Sequence, residues 1–544
     1  MTGRNQASTL IVNAHVYSAS VPFASAMFIR EGQIAWVGDA SGAYVHRELA
    51  DRVIDARGQF VAPAFVDAHV HATSTGLLLD GLDLTGVRHR QELLDLLSSY
   101  SRIKKGAPVI GHGWDQSQWL DPTLPSRSEI DRASWGSVVY LSRIDVHSAL
   151  VSTALIAQAP EASTCDGFGE QAISAQAHQV LRSQALDHIT SNQRRDAQRA
   201  FGRHALSQGI ASVHEMAGPS ISSSSDARLL VELSESGFGP LVHLYWGQLA
   251  SEGGLEMVRE LNAVGAGGDL FVDGAIGSRT AFLSDPYSDA PQTSGVAYLT
   301  VDQVSDHVSA CSDSGIQSGF HVIGDAGMEI VLQGMTQADG LGHFARGLRH
   351  RLEHAELVSN EQREVIARLN VTSSMQPLFD SLWGQPGGMY ESRLDARSRS
   401  MNMWGSLLSQ GSSVCFSSDA PVTEMDPWSA IRAAMFHNNV NERITARAAF
   451  SAHTRAGWRA LGSQYDNYGV LEVGSPAHLA IWNVDDYAIQ VPDERVTSWS
   501  TDPRSATAPL PDLGSEHEPS IPSCSMTIVN GEIRHAINEF QEYA

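Results

Sequence analysis

The sequence predicts an α/β protein with three parts: a distorted (β/α)8 TIM barrel, a composite β-sandwich domain formed from both termini, and an insertion after the first barrel strand. Short apolar strands alternate with helical patterns through the middle of the 544 residues. Strand-like segments separated by turn residues occupy both ends. A long stretch separates the first barrel strand from the second.

Eight candidate strands alternate with helical patterns, which is typical of βα units and is the number needed to close a barrel. They are Phe60–Asp67, Ile210–Glu215, Leu241–Trp246, Leu270–Gly274, Gly319–Ile323, His350–Glu353, Val371–Met375 and Ser413–Ser418. We therefore assign residues 60–469 to the barrel. The insertion, at about residues 75–192, has strand candidates of its own at Val109–Gly111 and Val138–Ser142, and we expect it to lie beside the barrel mouth.

The two ends of the chain carry matching β patterns. The N-terminal strand candidates are Thr9–Val16, Ala26–Arg30 and Gln33–Gly38, and the C-terminal ones are His478–Asn483, Met526–Asn530 and Glu532–His535. Asn530-Gly531 is a strong hairpin signal. Residues 1–59 and 470–544 are therefore predicted to form one β domain, with an irregular excursion at Pro492–Pro522.

Composition and charge narrow the function classes. The formal net charge of −24 argues against nucleic-acid and anionic-membrane partners. No run of eighteen apolar residues suggests a membrane span, and the polar start lacks the pattern of a signal peptide. The four cysteines have no paired spacing, so we expect a reducing cytoplasm rather than a disulfide framework.

The strongest local motif is Asp67-Ala68-His69-Val70-His71, directly after an apolar run. Residues two apart on a strand point the same way, so both imidazoles would face the mouth, where barrel active sites lie. Neutral imidazole is the commonest metal ligand. The motif therefore predicts a divalent metal site, although an HxH pair on a strand can also be a structural accident.

Three further residues end later strands: His321, His354 and Asp419. Each has an ordinary explanation, because a lone strand-end histidine can be a satisfied polar group and an aspartate before a helix is commonly an N-cap. Ligand-type residues at the matching ends of strands one, five, six and eight favour a shared site.

Several stretches resemble the amidohydrolase superfamily, and within it the branch of N-substituted formamide deformylases and exoenzyme regulatory protein homologues. They are Ala62–His71, Gly113–Ser117, Leu141–His147, Asp273–Ala281 and His321–Asp325. The resemblance covers nearly the whole chain. It implies metal ligands at His69, His71, His321, His354 and Asp419, with Asp419 also acting as general base and proton shuttle.

One position departs from the resemblance. Many relatives place a carboxylated lysine on strand four, where it bridges two metals. Asp269 stands there in this chain, and the only lysines are Lys104 and Lys105 in the insertion. Two readings stay open: one metal, most simply zinc, held by His69, His71, His321 and Asp419 while His354 contacts water or substrate, or two metals bridged by Asp269 or Glu215. We favour one metal, since an aspartate reaches less far than a carboxylated lysine.

The predicted chemistry is hydrolysis of a C–N bond by metal-activated water, with His354 and Asp419 as the catalytic residues. The substrate would be a small amide, uncharged or partly apolar, and the resemblance implies an N-substituted formamide and a homodimer. Candidate substrate-binding residues are Trp114, His147 and Arg279, although Trp114 could instead pack the insertion and Arg279 could pair with Asp273. The alternatives are a cyclic amide or N-acyl hydrolase, a deaminase, a lyase, or a non-catalytic binding or regulatory protein.

Overall fold

An eight-stranded parallel sheet, with its strands in chain order, forms the centre of the protein. This computed structural model describes residues 7–79, 81–488 and 508–543. The barrel strands, numbered 1 to 8, are Phe65–Val70, Ile210–Ala217, Leu241–Trp246, Gly265–Ala266, Gln317–Val322, Arg351–His354, Thr372–Met375 and Ser413–Phe416. The predicted (β/α)8 barrel is confirmed.

The barrel closes where strand 8 returns to strand 1. Val70 and Ala420 form a parallel bridge, and the Asp419 backbone N–H donates to the His69 carbonyl at 2.9 Å. The buried Asp67 carboxylate accepts hydrogen bonds from the Ser418 N–H at 2.9 Å and from its hydroxyl at 2.6 Å. Closure therefore occurs at the carboxyl ends of the strands, beside the candidate ligands.

The predicted first strand, Phe60–Asp67, is in fact parts of two strands in different sheets. Phe60–Pro63 pairs with His15–Val16 and Leu479–Asn483 in the terminal domain, and barrel strand 1 begins only at Phe65. Barrel strand 1 therefore begins five residues later than the predicted strand. Every residue from 60 to 70 is buried, so the apolar run shows no alternation that could mark its passage between sheets.

The fourth strand was also predicted in the wrong place. Leu270–Gly274 was expected, whereas the paired strand is Gly265–Ala266. Gly267 and Gly268 follow with φ of 150° and 83°, which take the chain out of the sheet. Beyond them, only Phe271 forms a bridge to strand 5, opposite His321.

Helices surround the barrel, and several begin at side-chain caps such as the capping boxes of Thr300 and Ser359. The helices outside the sheet are Ser191–Ser207, Ser224–Glu235, Gly254–Leu261, Val301–Asp313, Asp325–Gly340, Asn360–Leu369, Trp404–Ser409, Pro427–Met435, Ala446–Ala452 and Arg455–Ala460. Two short helices, Pro377–Trp383 and Met389–Leu394, follow strand 7. Their buried aromatic residues pack beside the site described below.

Both chain ends build one β sandwich, as predicted. One sheet has the order Gln33–Gly38, Ala26–Arg30, Thr9–Val12, Arg52–Asp55, and the other His15–Val16, Phe60–Pro63, Leu479–Asn483, Ser523–Val529, Glu532–Ala536. Side chains from both sheets, including Ile11, Ile481 and Ile528, share one apolar core. The helix Ala40–Arg47 covers the first sheet. Residues 492–507 of the predicted excursion lie outside the described residues, and Leu510–Pro511 pairs with Tyr487–Ala488.

The insertion forms an α/β unit of its own between helices Ala72–Leu79 and Ser191–Ser207. Its sheet has the order Ala172–Ser174, Ser148–Val151, Val139–Arg143, Val109–Trp114, Leu82–Asp83, and its helices are Arg90–Lys104, Arg127–Ala133, Thr153–Ile156 and Ala175–Leu186. Both strands predicted in this region are confirmed. Among the described residues, no helix combines the length and hydropathy that a membrane span requires.

Candidate metal centre at the barrel mouth

Six side chains from five barrel strands converge at the carboxyl end of the sheet. They are His69 and His71 at strand 1, Asp269 after strand 4, His321 in strand 5, His354 at strand 6 and Asp419 after strand 8. All six are buried. Within the described residues, three triads have ligand atoms that all lie within 4.8 Å of one another: His69–His71–Asp269, His69–His354–Asp419 and Asp269–His321–His354.

Each imidazole has one ring nitrogen bonded to an outer acceptor. The four bonds are His69 Nδ1 to Glu353 Oε2 at 3.0 Å, His71 Nδ1 to the Met216 carbonyl at 3.0 Å, His354 Nδ1 to Gln376 Oε1 at 3.0 Å, and His321 Nε2 to the Gly274 carbonyl at 3.3 Å. With the proton on that nitrogen, the other nitrogen faces the centre with a free lone pair. This is the usual arrangement around metal-ligating histidines.

The free nitrogens point at two carboxylates. His71 Nε2 lies 3.1 Å from Asp269 Oδ2 and 3.2 Å from Asp419 Oδ1. His321 Nδ1 lies 3.4 Å from Asp269 Oδ1, and His354 Nε2 lies 3.9 Å from the same oxygen. Asp269 therefore stands between the strand 1 histidines and those of strands 5 and 6.

The centre holds two buried carboxylates whose only ion-pair partners among the described residues are these histidines. Burial alone would raise the carboxyl pKa values, but the imidazoles lower the pKa of Asp419 and hold that of Asp269 well below its usual range. Against the opposing effect of burial, the carboxylates raise the pKa of His71 to about 9 and that of His69 well above its usual range. Such an arrangement favours a bound cation.

One atom supports the fit of a metal directly. His69 Nε2 is fully buried and makes no hydrogen bond in the described structure, although Asp269 Oδ1 and Asp419 Oδ1 lie 3.5 and 3.4 Å away. An unsatisfied buried nitrogen is costly unless something binds it. Imidazole nitrogens and carboxylate oxygens are the donors that zinc and related divalent cations accept.

Asp269 reaches the centre because the backbone after strand 4 is displaced. A Cβ added to Gly267 would lie 2.2 Å from the Gly319 nitrogen, and one added to Gly268 would lie 2.4 Å from Met216 Sδ. The glycines therefore let the chain run close against strands 2 and 5. The displaced main chain thereby brings the short side chain of Asp269 into the centre.

His354 and Asp419 adopt a backbone conformation that few non-glycine residues adopt, with φ of 72° and 56°. Neighbouring bonds hold it in place: the Ala355 N–H donates to the Val322 carbonyl at 3.0 Å, and the Asp419 N–H donates to the His69 carbonyl. Strain of this kind is common at functional sites, where the surrounding structure enforces it.

A buried ion pair below the centre fixes His69. Arg351 donates to Glu353 through Nε at 2.8 Å and Nη2 at 3.1 Å, and both side chains are fully buried. Burial would raise the pKa of Glu353, but Arg351 and the His69 bond lower it to about 2. Glu353 is therefore an anion that keeps the His69 proton on Nδ1.

The predicted substrate-binding residues divide into two groups. His147 lines the cavity at the centre, with its ring 5.1 Å from that of His321. Trp114 does not: it is fully buried in the core of the insertion, where its indole N–H donates to the Leu141 carbonyl at 2.8 Å. Arg279 also lies outside the cavity lining, paired with Asp289 at 2.7 Å rather than with Asp273.

Three residues that contribute to the site were not predicted from the sequence. Arg351 and Glu353 are charged residues two apart on a buried strand, a pattern that could have signalled an inward-facing ion pair. Arg182, on helix Ala175–Leu186 of the insertion, lines the same cavity as the ligands. Nothing in its local sequence distinguishes it from a surface arginine.

Comparison with known proteins agrees with this geometry. The model of the amidohydrolase family, Amidohydro_3, matches residues 52–535. The Arabidopsis thaliana protein LONG AFTER FAR-RED 3 is 27% identical over 471 residues, which is 79% of this chain and 78% of that protein. The N-substituted formamide deformylase of Arthrobacter pascens is 23% identical over 518 residues, 88% of this chain and 93% of the deformylase.

A solved structure described as an uncharacterized metal-dependent hydrolase from Pyrococcus furiosus superposes with a TM-score of 0.69. It is 28% identical, and the match covers 88% of this chain and 99% of that one. A second such hydrolase, from Pyrococcus horikoshii, is 24% identical with a TM-score of 0.70.

Gly267→Ala is expected to lower both stability and metal content. The new Cβ would collide with the Gly319 backbone and displace Asp269. Gly315→Ala is the matched control, since Gly315 also has positive φ, at 67°, but its added Cβ meets nothing within 4 Å. The control should cost roughly 1–2 kcal/mol of unfolding free energy and keep the wild-type metal content by elemental analysis. Equal metal content in both variants would contradict the role of the glycine pair.

Glu353→Gln should weaken metal binding by roughly 10–100-fold, as removal of a residue that orients a ligand commonly does. The neutral amide no longer holds the His69 proton on Nδ1 as a carboxylate does. Glu442→Gln is the control, because Glu442 is a buried carboxylate bonded to Ser406, away from the centre. Competition with a chelator gives the affinities, and an unchanged affinity in Glu353→Gln would refute the proposed support of His69.

Proposed function

Because the chain belongs to the amidohydrolase family and is a metal-dependent hydrolase of C–N bonds, we propose that it hydrolyses a small-molecule amide with two divalent cations that share Asp269. The observation that carries the proposal is the position of Asp269 between two histidine pairs. Its Oδ2 faces His71, while its Oδ1 faces His321 and His354.

The number of ligand atoms supports two cations. Four imidazole nitrogens and two carboxylates exceed the four ligands of a tetrahedral zinc site, and an active site also needs a position for water. If two ions shared these six donors, each ion would have fewer protein ligands, and a position for water would stay open. The sequence favoured one metal because an aspartate side chain is shorter than the carboxylated lysine that bridges two metals in many relatives. The displaced backbone at Gly267-Gly268 compensates for that difference in length.

Bound divalent cations would supply water of lowered pKa and would polarise the amide carbonyl. We take zinc as the first candidate, given the four imidazole donors.

The chain's own residues supply proton transfer and orientation. Asp419 is a carboxylate at neutral pH, with Oδ1 directed at His69 and His71 and Oδ2 3.9 Å from His354. In our proposal Oδ2 accepts the proton of the attacking water and returns it to the leaving nitrogen. His354, held by Gln376, lies beside that transfer.

His147 is proposed to orient the substrate carbonyl. Its ring lies at the cavity wall, and burial lowers its pKa, so that it is a neutral hydrogen-bond donor at neutral pH. An N-substituted formamide is the first substrate class to assay, since the Arthrobacter pascens deformylase aligns over 88% of this chain.

Metal content per chain tests the proposal. Wild-type protein should hold close to two divalent cations, and Asp269→Asn should hold one or fewer, because the amide is a neutral and weaker ligand for both ions. Asp226→Asn is the control: Asp226 is a buried carboxylate bonded to Thr73 and Arg194, outside the ligand set.

The two parts of the proposal fail separately. One cation per wild-type chain, unaffected by Asp269→Asn, would refute the shared aspartate and leave a single-metal hydrolase. No bound cation, together with no release of formate or amine from a formamide panel, would refute the hydrolase and favour a binding protein of the same fold.

A further inference from the structure

A buried arginine without an ion-pair partner in the described structure lines the cavity at the metal centre. Arg182 lies on helix Ala175–Leu186 of the insertion and is 7% exposed. Its side chain makes no hydrogen bond and no ion pair with the described residues. Arg182 lines the cavity that His71, Asp269 and Asp419 also line.

The other buried arginines of the described structure behave differently. Arg143 bonds Asp115 and Asp145, Arg351 bonds Glu353, and Arg393 bonds Asp289. Arginine is almost never this buried unless it is paired, because desolvation of its charge must be offset. Arg182 alone among these four lacks its counter-ion, which indicates that the counter-ion arrives from outside the chain.

The surroundings of Arg182 leave its charge uncompensated. His178, one turn earlier on the helix, is bonded to the Tyr140 hydroxyl at 2.7 Å. Burial, and then the charge of Arg182, lowers the pKa of His178 well below its usual range, so this neighbour is neutral. Asp145, which also lines this cavity, is already bonded to Arg143 and Ser278.

A second, apolar cavity meets the centre from another side. It is lined by Phe379, Trp383, Met389 and Tyr390 from the two short helices after strand 7. The two cavities share the wall formed by His321, His354 and Asp419. The reacting bond would therefore lie between the cavity that contains Arg182 and the apolar one.

We infer that the substrate is an amide that carries a carboxylate, which Arg182 binds, and an apolar group that enters the apolar cavity. The inference rests on the proposed function, and it replaces the uncharged substrate that the sequence favoured. A guanidinium matches a carboxylate with two parallel hydrogen bonds. Formation of that pair would satisfy a charge that the protein alone leaves unpaired.

Two probes that differ only in the carboxylate test the inference: racemic N-formylphenylalanine and N-phenethylformamide. Hydrolysis adds one water to each and releases formate with phenylalanine or with phenethylamine. Wild-type protein should favour the carboxylated probe in kcat/KM. Arg182→Gln should lower that value by roughly 10–100-fold, the usual worth of hydrogen bonds to a charged group, and should change kcat/KM of the uncharged probe much less. Arg182→Lys should fall between.

Two controls separate binding from structure. Arg279→Gln removes the arginine that the sequence analysis proposed as a substrate-binding residue. Because Arg279 pairs with Asp289 outside the cavity, this change should not alter the preference between the probes. Thermal unfolding distinguishes a structural role, because loss of an unpaired buried charge should leave Tm equal or higher. A fall in Tm of Arg182→Gln with no change in preference would overturn the inference.

Calorimetric binding of both probes keeps the inference testable if neither is hydrolysed. Tighter binding of N-formylphenylalanine to wild type than to Arg182→Gln would support the carboxylate site while the proposed function fails. Equal binding to the two proteins, or no binding to wild type, would overturn the site. Hydrolysis of both probes with no dependence of either on Arg182 would overturn the inference and leave the proposed function intact.

Discussion

Two buried carboxylates that face only imidazoles set the main constraint on this structure. Asp269 and Asp419 are buried and form no ion pair with an arginine among the described residues, so their charge must be met by protons on the histidines or by metal ions. The outer hydrogen bonds of the four histidines favour metal, because they use one nitrogen of each ring and turn the other inward. The barrel makes this convergence feasible by bringing the carboxyl ends of distant strands together.

Asp269 reaches the site because the regular pairing of strand 4 with its neighbours ends early. A full fourth strand would carry the chain along the barrel wall, whereas strand 4 has two residues and is followed by Gly267-Gly268. Both glycines lie where any side chain would meet a neighbouring strand. The loss of ladder hydrogen bonds is local, and the neighbouring strands 3 and 5 still pair with Gly265–Ala266. The short side chain of Asp269 thereby lies between the histidines of strand 1 and those of strands 5 and 6.

The features that could be predicted from the sequence are those marked by a local pattern. The features that could not be predicted depend on contacts between residues far apart in the chain. The HxH pair and the residues His321, His354 and Asp419 could be predicted because each lies near the carboxyl end of a predicted strand. The bounds of strands 1 and 4 could not, since residues 60–70 are uniformly buried and the effect of Gly267-Gly268 depends on strands far along the chain. Trp114 and Arg279 occur in conspicuous motifs, yet their partners lie within the insertion and at Asp289.

Arg182 shows why recognition is harder to predict than chemistry in a protein of this architecture. The ligands come from barrel strands, whose order and direction constrain them, whereas the arginine comes from a helix of an insertion that packs beside the mouth. The free energy of placing an unpaired guanidinium there is unfavourable for the free protein. That cost is consistent with function, because a site that holds unpaired polar groups discriminates strongly against ligands that cannot satisfy them. The barrel would then determine which bond is broken, and the insertion would determine which molecules carrying that bond are accepted.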